Sequence, residues 1–300
     1  MNPSPPLFTL TGNLLAERTL EFTSWQPGRT QRATRESFQV GGKGINVAKM
    51  LARLGTPATA LCFAGGSTGN ECRAWLQAHG FYCRIFPTTS ATRTGTVVHS
   101  AGRPETTFLG PDSSPDAASL VACAEFLEAQ PDGGVLALCG SFPGWDQTGY
   151  DPLRRALRSW LARGTLVADT YGPPLAWCIQ QPLALVKVNA LEFQQGLGIA
   201  DQPINADTIR AAAAGRPVQR WVVTQGAGPV WLSDAGATPE NLTPPVVTEV
   251  SATGSGDVLL AGVLHAWFRS GAGLKAAVAF ALPLAAANAA HPGVADFPLP

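Results

Sequence analysis

Residues Val250-Ser251-Ala252-Thr253-Gly254-Ser255-Gly256-Asp257 run directly into the apolar stretch Val258-Leu259-Leu260-Ala261-Gly262. A glycine-rich turn followed by an apolar run predicts a helix from about Asp257 to Ser270. The glycines let the backbone turn tightly and come close to a ligand. Free N–H groups and the positive dipole end of such a helix converge on one point, which makes an anion site. Asp257 at that end has two readings. It can be part of a plain helix start, capped by Ser or Asp, with no ligand at all. Alternatively, because a carboxylate repels bound phosphate, it is a base. It would then take a proton from a hydroxyl while nearby N–H groups stabilise charge on a transferring phosphoryl group.

A second glycine turn lies about 200 residues upstream, in Gly41-Gly42-Lys43-Gly44-Ile45-Asn46. It precedes Val47, Met50, Leu51 and Leu54 at helical spacing. A cation and an amide at a helix mouth suit a substrate bearing hydroxyls and a phosphate, although glycine turns before helices are common without any ligand. Between these elements, short apolar runs alternate with amphipathic stretches, which predicts βα units and a mainly parallel sheet. Strands are expected at Ala58–Phe63, Val135–Cys139, Leu166–Asp169, Ala184–Val188 and Trp221–Thr224. Helices are expected at Ile45–Leu54, Glu71–His79, Ala117–Ala129, Pro152–Ala162 and Asp207–Ala214. The alanine-rich run Ala276–Ala290 contains Pro283, which should kink or split it. Glu17–Val40 and Thr92–Phe108 alternate polar and apolar residues and read as exposed strands of a small separate sheet.

Composition narrows the function. The 300 residues carry zero formal net charge and only four lysines, which argues against a nucleic-acid groove or a polybasic membrane surface. Any anion site must be local. The six cysteines form no C-x-x-C pair and sit mostly among apolar neighbours, so reduced core thiols and a cytoplasmic location are expected. The chain contains no Walker motif and no G-x-G-x-x-G element, and Gly140-Ser141-Phe142-Pro143-Gly144 is not a hydrolase nucleophile elbow.

In their order, the two glycine elements resemble the PfkB (ribokinase-like) carbohydrate kinases. Gly41 to Ala48 is most similar to the branch containing 1-phosphofructokinase and tagatose-6-phosphate kinase. Further matches are Gly65-Gly66-Ser67-Thr68-Gly69, Gly140 to Gly144, Asp169-Thr170, Lys187-Val188-Asn189-Ala190-Leu191-Glu192 and Thr224-Gln225-Gly226. The resemblance implies one domain over residues 1–300, a three-layer αβα sandwich with a small β lid formed from about 13–40 and 91–110. It implies an ATP-dependent phosphotransferase acting on a hydroxyl of a sugar phosphate, with magnesium and a homodimer through the lid. Asp257 would be the catalytic base, and the N–H groups of Gly254, Ser255 and Gly256 the anion hole. Asn189 and Glu192 would hold magnesium through water, and Asp169, Lys187, Thr224, Gly226 and Asn288 would line the nucleotide side. Lys43 and Arg93 would meet the acceptor phosphate, and Gly42, Asn46, Ser141 and Glu17 the rest of the sugar. Arg29 and Arg32 are further cations of the lid.

Some positions depart from the pattern. Where the branch opens with T-x-N-P-A-x-D, this chain has Thr11-Gly12-Asn13-Leu14-Leu15-Ala16-Glu17. The extra methylene of Glu17 carries its carboxylate roughly 1.5 Å further into the pocket. Lys187-Val188-Asn189 replaces K-P-N, and Pro229 stands where a glycine is expected. A kinase for an unphosphorylated sugar or nucleoside, and a catalytically weak sugar-phosphate-binding paralogue, therefore remain alternatives.

Overall fold

The computed structural model describes residues 5–100, 103, 105–200 and 202–299. Residues 101, 102 and 104 of the expected lid segment lie outside the described residues. The first elements are β1 (Leu7–Thr11), β2 (Leu15–Phe22), β3 (Arg35–Gly41), α1 (Lys43–Arg53), β4 (Thr59–Ala64), α2 (Gly66–Ala78) and β5 (Cys83–Pro87). There follow β6 (Arg93–Ser100), β7 (Thr106–Leu109), α3 (Ala117–Glu128), β8 (Val135–Gly140), α4 (Asp151–Arg163), β9 (Thr165–Thr170) and α5 (Pro173–Cys178). The remainder comprises β10 (Leu185–Asn189), α6 (Ala190–Leu197), α7 (Ala206–Ala214), β11 (Arg220–Thr224), β12 (Val230–Asp234), β13 (Glu240–Leu242), α8 (Ser255–Ser270) and α9 (Leu274–Ala289).

Nine strands form the main sheet in the order β13-β12-β11-β10-β9-β8-β1-β4-β5. From β11 to β5 every pairing is parallel, while β12 and β13 add an antiparallel edge. The interior strands β1, β4, β8, β9 and β10 are buried on both faces, as parallel sheets require, and successive side chains serve opposite layers. On β8, Leu136 and Leu138 join the core that includes Leu120, Leu157 and Phe193. Val135, Ala137 and Cys139 face the other way, into the core with Val47, Leu260 and Val278. Helices α3 to α7 thus cover one face and α1, α8 and α9 the other, giving the expected αβα sandwich.

The second sheet has the order β3-β2-β6-β7, with β2 and β6 parallel. Its strands overlap the two alternating segments Glu17–Val40 and Thr92–Phe108, with β2 starting two residues earlier and β3 and β7 each ending one residue later. They are less exposed than their alternation suggests: Leu15, Ala16 and Glu17 are buried. A third cluster, including Leu14, Ala16, Val40, Ile45, Ala48 and Leu76, anchors this sheet to α1 and α2.

Pro283 does not split α9, which runs unbroken from Leu274 to Ala289. The carbonyl that loses its N–H partner belongs to Ala279, which is exposed, so water can serve it. The apolar face of the helix packs closely on α8; a Cβ added at Gly262 would stand 2.7 Å from Ala281 Cβ. The α2 helix starts at Gly66 rather than Glu71, because the Gly66-Ser67-Thr68-Gly69 stretch forms its first turn.

Candidate active site

The two glycine elements meet at the C-terminal ends of the parallel strands, where open α/β sheets bind ligands. They line one cleft of about 790 Å³. Gly254 precedes α8 with φ +77°, a left-handed conformation, and a Cβ there would lie 2.2 Å from Val294 Cγ1. Glycine is therefore required on both conformational and steric grounds. Asn288 braces the loop from behind. Its Nδ2 donates to the Thr253 carbonyl at 2.9 Å and to Ser255 Oγ at 3.1 Å, and its Oδ1 accepts from the Ala295 N–H at 2.8 Å. Asn288 is almost fully buried and stands behind the cleft lining, where it supports the loop.

Asp257 projects from the first turn of α8 and is 5% exposed. Asn46 Nδ2, from the first turn of α1, donates to its Oδ2 at 2.7 Å. Burial, helped by the charge of Asp169, pushes the Asp257 carboxyl up to about 6, against the pull of Lys43, Lys187 and the Asn46 hydrogen bond. Asp169, at the end of β9, is fully buried and holds two ammonium groups. Lys43 Nζ lies 2.8 Å from its Oδ1, and Lys187 Nζ 2.8 Å from its Oδ2. Burial disfavours its charge, but Lys187 and Lys43 outweigh that and keep the carboxyl below its ordinary range. Lys43 also reaches Glu192 Oε1 at 3.0 Å. Burial would lower this lysine, yet Asp169, Glu192 and Asp257 together hold it above its usual range.

The ammonium of Lys43 is committed to Asp169 and Glu192 rather than left free for an acceptor phosphate. Asp169 does not line the cleft; it anchors the lysines that do. Lys187 stands directly behind the loop, since a Cβ at Gly256 would come within 2.5 Å of its Nζ.

Asn189 and Glu192 form a capping box at the start of α6. Asn189 Oδ1 accepts from the Glu192 N–H and Glu192 Oε2 from the Asn189 N–H, both at 2.9 Å. The motif is thus an ordinary helix cap whose carboxylate also faces the cleft and Lys43. Thr224, the last residue of β11, and Gly226 just beyond it line the same cleft. Thr243 to Val247 border it further along, with Val246 99% exposed.

The small sheet supplies the opposite wall. Glu17 on β2 is buried and accepts a short hydrogen bond from Gln39 Nε2 on the paired strand β3. Burial raises its carboxyl above the ordinary range; the Gln39 bond opposes this, and the charge of Glu105 adds to it. Arg93, on β6, pairs with Asp112 at 3.0 Å and donates to the Asn13 carbonyl at 3.4 Å, while its Nε is buried without a partner among the described residues. Gly42 and Asn46 line the cleft as expected. Ser141 does not: its Oγ accepts from Asn13 Nδ2 at 3.0 Å, outside the cleft lining. Arg29 and Arg32 are exposed in the β2–β3 connection and do not line the cleft either. Gln39, Asp112 and Val294 were not singled out in the sequence. Gln39 alone had a local signal, as a polar residue two positions before the glycine turn on an alternating strand.

A doubly covered parallel sheet, a glycine loop at a helix start and a buried carboxylate between lysines define a small-molecule phosphotransferase. The chain belongs to the pfkB family of carbohydrate kinases, whose family model matches residues 11–300. It is 26% identical over 294 residues to a 1-phosphofructokinase of Borreliella burgdorferi, covering 97% of this chain and 94% of that protein. It is 28% identical to an ATP-dependent 6-phosphofructokinase isozyme 2 of Mycobacterium tuberculosis, covering 86% of this chain and 77% of that protein. The fold matches the crystal structure of phosphofructokinase-2 from Escherichia coli in complex with fructose-6-phosphate with a TM-score of 0.85 at 23% identity, over 95% of this chain and 94% of the other.

Proposed function

We propose that this carbohydrate kinase transfers the terminal phosphoryl group of ATP to a hydroxyl of a sugar phosphate, with Asp257 as the general base. The observation that carries this reading is the placement of Asp257: buried, anchored by Asn46 through one oxygen, and set in the first turn of the helix that the glycine loop opens. In the reaction, Asp257 takes the hydroxyl proton as the acceptor oxygen bonds to the terminal phosphorus. The bond from that phosphorus to the bridging oxygen breaks, and ADP leaves with the electron pair. N–H groups of Gly254, Ser255 and Gly256 stabilise charge on the transferring group, and Lys43 and Lys187 add positive charge beside it.

Magnesium fits this wall in one manner only. Among the described residues no group of three or more His, Cys, Asp or Glu side chains could hold a metal ion. A single carboxylate next to an amide, Glu192 and Asn189, suits an ion that retains most of its waters and is carried by phosphates. Bound there, it would neutralise charge on the nucleotide.

On the acceptor side, Glu17 and Gln39 offer an acceptor and a donor to sugar hydroxyls. Arg93 is the cation for the acceptor phosphate; its partner Asp112 has a side chain 59% exposed, so the guanidinium can exchange it for a ligand. The two relatives differ in the position of the phosphate already present, as their names state, and Arg93 together with the longer Glu17 would set that choice here. Pairing of two copies through the small sheet would cover Phe108 and Leu109, which are 54% and 57% exposed. Free, mostly buried cysteines suit a reducing cytoplasm. No helix among the described residues is long and apolar enough to cross a membrane.

A panel of sugars and sugar phosphates with Mg-ATP, read as ADP release, tests the reading. A phosphorylated ketose should exceed plain fructose, ribose and nucleosides in kcat/KM by about 100-fold, the worth of one charge-assisted phosphate contact. The commitment of Lys43 to carboxylates leaves Arg93 with most of that discrimination. Equal rates with the unphosphorylated sugars would favour the alternative acceptor class, and binding without any turnover would favour a sensor.

A further inference from the structure

Glu105 lies just before β7 on the small sheet and, apart from its charge acting on Glu17, takes no part in the chemistry described above. Its side chain is 12% exposed, and its two oxygens serve different partners. Oε1 accepts from Thr253 Oγ1 at 3.0 Å, and Oε2 stands 3.1 Å from His99 Nε2 on β6. Thr253 immediately precedes Gly254, and its carbonyl is the one that Asn288 holds. One carboxylate therefore ties the edge of the small sheet to the glycine loop, across 148 residues of sequence.

A carboxylate is an odd choice for that position. Charge beside an anion-binding loop repels phosphate, and a half-buried carboxylate is costly unless its lone pairs are used. A neutral side chain would hold the two strands β6 and β7 together equally well. A carboxylate can serve both neighbours at once, accepting from the Thr253 hydroxyl through one oxygen and facing His99 through the other. The walls joined by this contact carry the two halves of the reaction. Glu17, Gln39 and Arg93 belong to the small sheet, whereas Asp257 belongs to the helix that starts two residues after Thr253.

We propose that Glu105 is a positioning residue for phosphoryl transfer: through Thr253 and His99 it fixes the small sheet against the glycine loop, and so sets the distance from the acceptor hydroxyl to the base. Displacement of reacting groups by about 1 Å can cost 100-fold in rate, so one well-placed contact between the walls has leverage. Loosening it also admits water, which then competes as acceptor: ATP and water give ADP and inorganic phosphate. The inference rests on the kinase reading of the cleft.

The test uses Glu105→Ala, Thr253→Val and the double variant. Each single variant should lower kcat about tenfold and raise the phosphate released per ADP formed, with KM for ATP changed by less than about twofold. The double variant should be no worse than either single one, and Thr253→Ser, which keeps the hydroxyl, should restore coupling. Additive losses, or unchanged phosphate release, would overturn the proposal. Glu105→Gln gives the same comparison with the side chain's shape retained. Hydrogen exchange of the β6 and β7 amides in the ligand-free protein separates this inference from the kinase reading. Exchange should quicken about tenfold in both single variants. Unchanged exchange would refute the contact even in an active kinase. A wild-type protein that phosphorylates nothing would refute the kinase reading and with it the positioning role, whatever the exchange shows.

Discussion

Asp257→Asn is expected to lower turnover by about 100-fold or more while leaving nucleotide affinity nearly unchanged. Asparagine keeps the volume and can still meet Asn46, so the loop and α8 should not move; what is lost is basicity. The same variant should melt at a higher temperature. The carboxyl of Asp257 is pushed up to about 6 in the folded protein, above its ordinary value, so its ionised form is disfavoured there. For an acid with a raised folded pKa, stability is lost as pH rises through the interval between the ordinary value and about 6, and at pH 7.5 the loss is complete. Removing the charge should raise Tm at pH 7.5 by about 2 °C or more. Turnover at the wild-type rate would eliminate Asp257 as the base, and an unchanged Tm would mean that its charge is not buried as described.

Asp169→Asn should have the largest effect on folding. Its carboxylate is fully buried, and each oxygen is 2.8 Å from a different ammonium group. The substitution leaves Lys187, itself 4% exposed at the side chain, with an amide where its counter-charge stood. Breaking a buried pair on one side costs about 3–5 kcal/mol, a fall in Tm of about 10 °C for a chain of this size. Adding Lys187→Met should recover part of that stability by removing the stranded charge, with no recovery of activity. Thermal unfolding of the single and double variants measures this. A single variant that melts with the wild type would contradict the charged triad.

The legible parts of this fold are local. The apolar runs at Val135–Cys139 and Trp221–Thr224 announced buried strands because parallel strands are covered on both faces. The pairing of Gly254 with Asp257 was legible because a turn and the helix it opens are contiguous. The interior strand β1 is disguised: Leu7-Phe8-Thr9-Leu10-Thr11 alternates like a half-exposed strand, although Thr9 and Thr11 are 0% and 2% exposed. The start of α2 was hidden by glycines that normally end helices. The contacts that organise the cleft are long-range and leave no local trace. Lys43 finds Asp169 across 126 residues, and Glu105 finds Thr253 across 148. Asn288 and Ser141 carry contacts that their motifs do not announce: Asn288 braces the glycine loop, and Ser141 accepts from Asn13. Pro283 leaves α9 unbroken, since the residue whose carbonyl it orphans, Ala279, is exposed.

The dependence of kcat/KM on pH for the best sugar phosphate, measured from pH 5 to 8, tests the role of Asp257 most directly. A base with a pKa near 6 must lose activity as it gains its proton, so the rate should fall on the acid side of about pH 6 more steeply than protonation of the substrate phosphate alone would make it. The substrate phosphate also titrates near pH 6, so Asp257→Asn should keep only the shallower limb that belongs to the substrate. A wild-type profile flat down to pH 5, or wild-type and variant profiles of identical shape, would contradict the account.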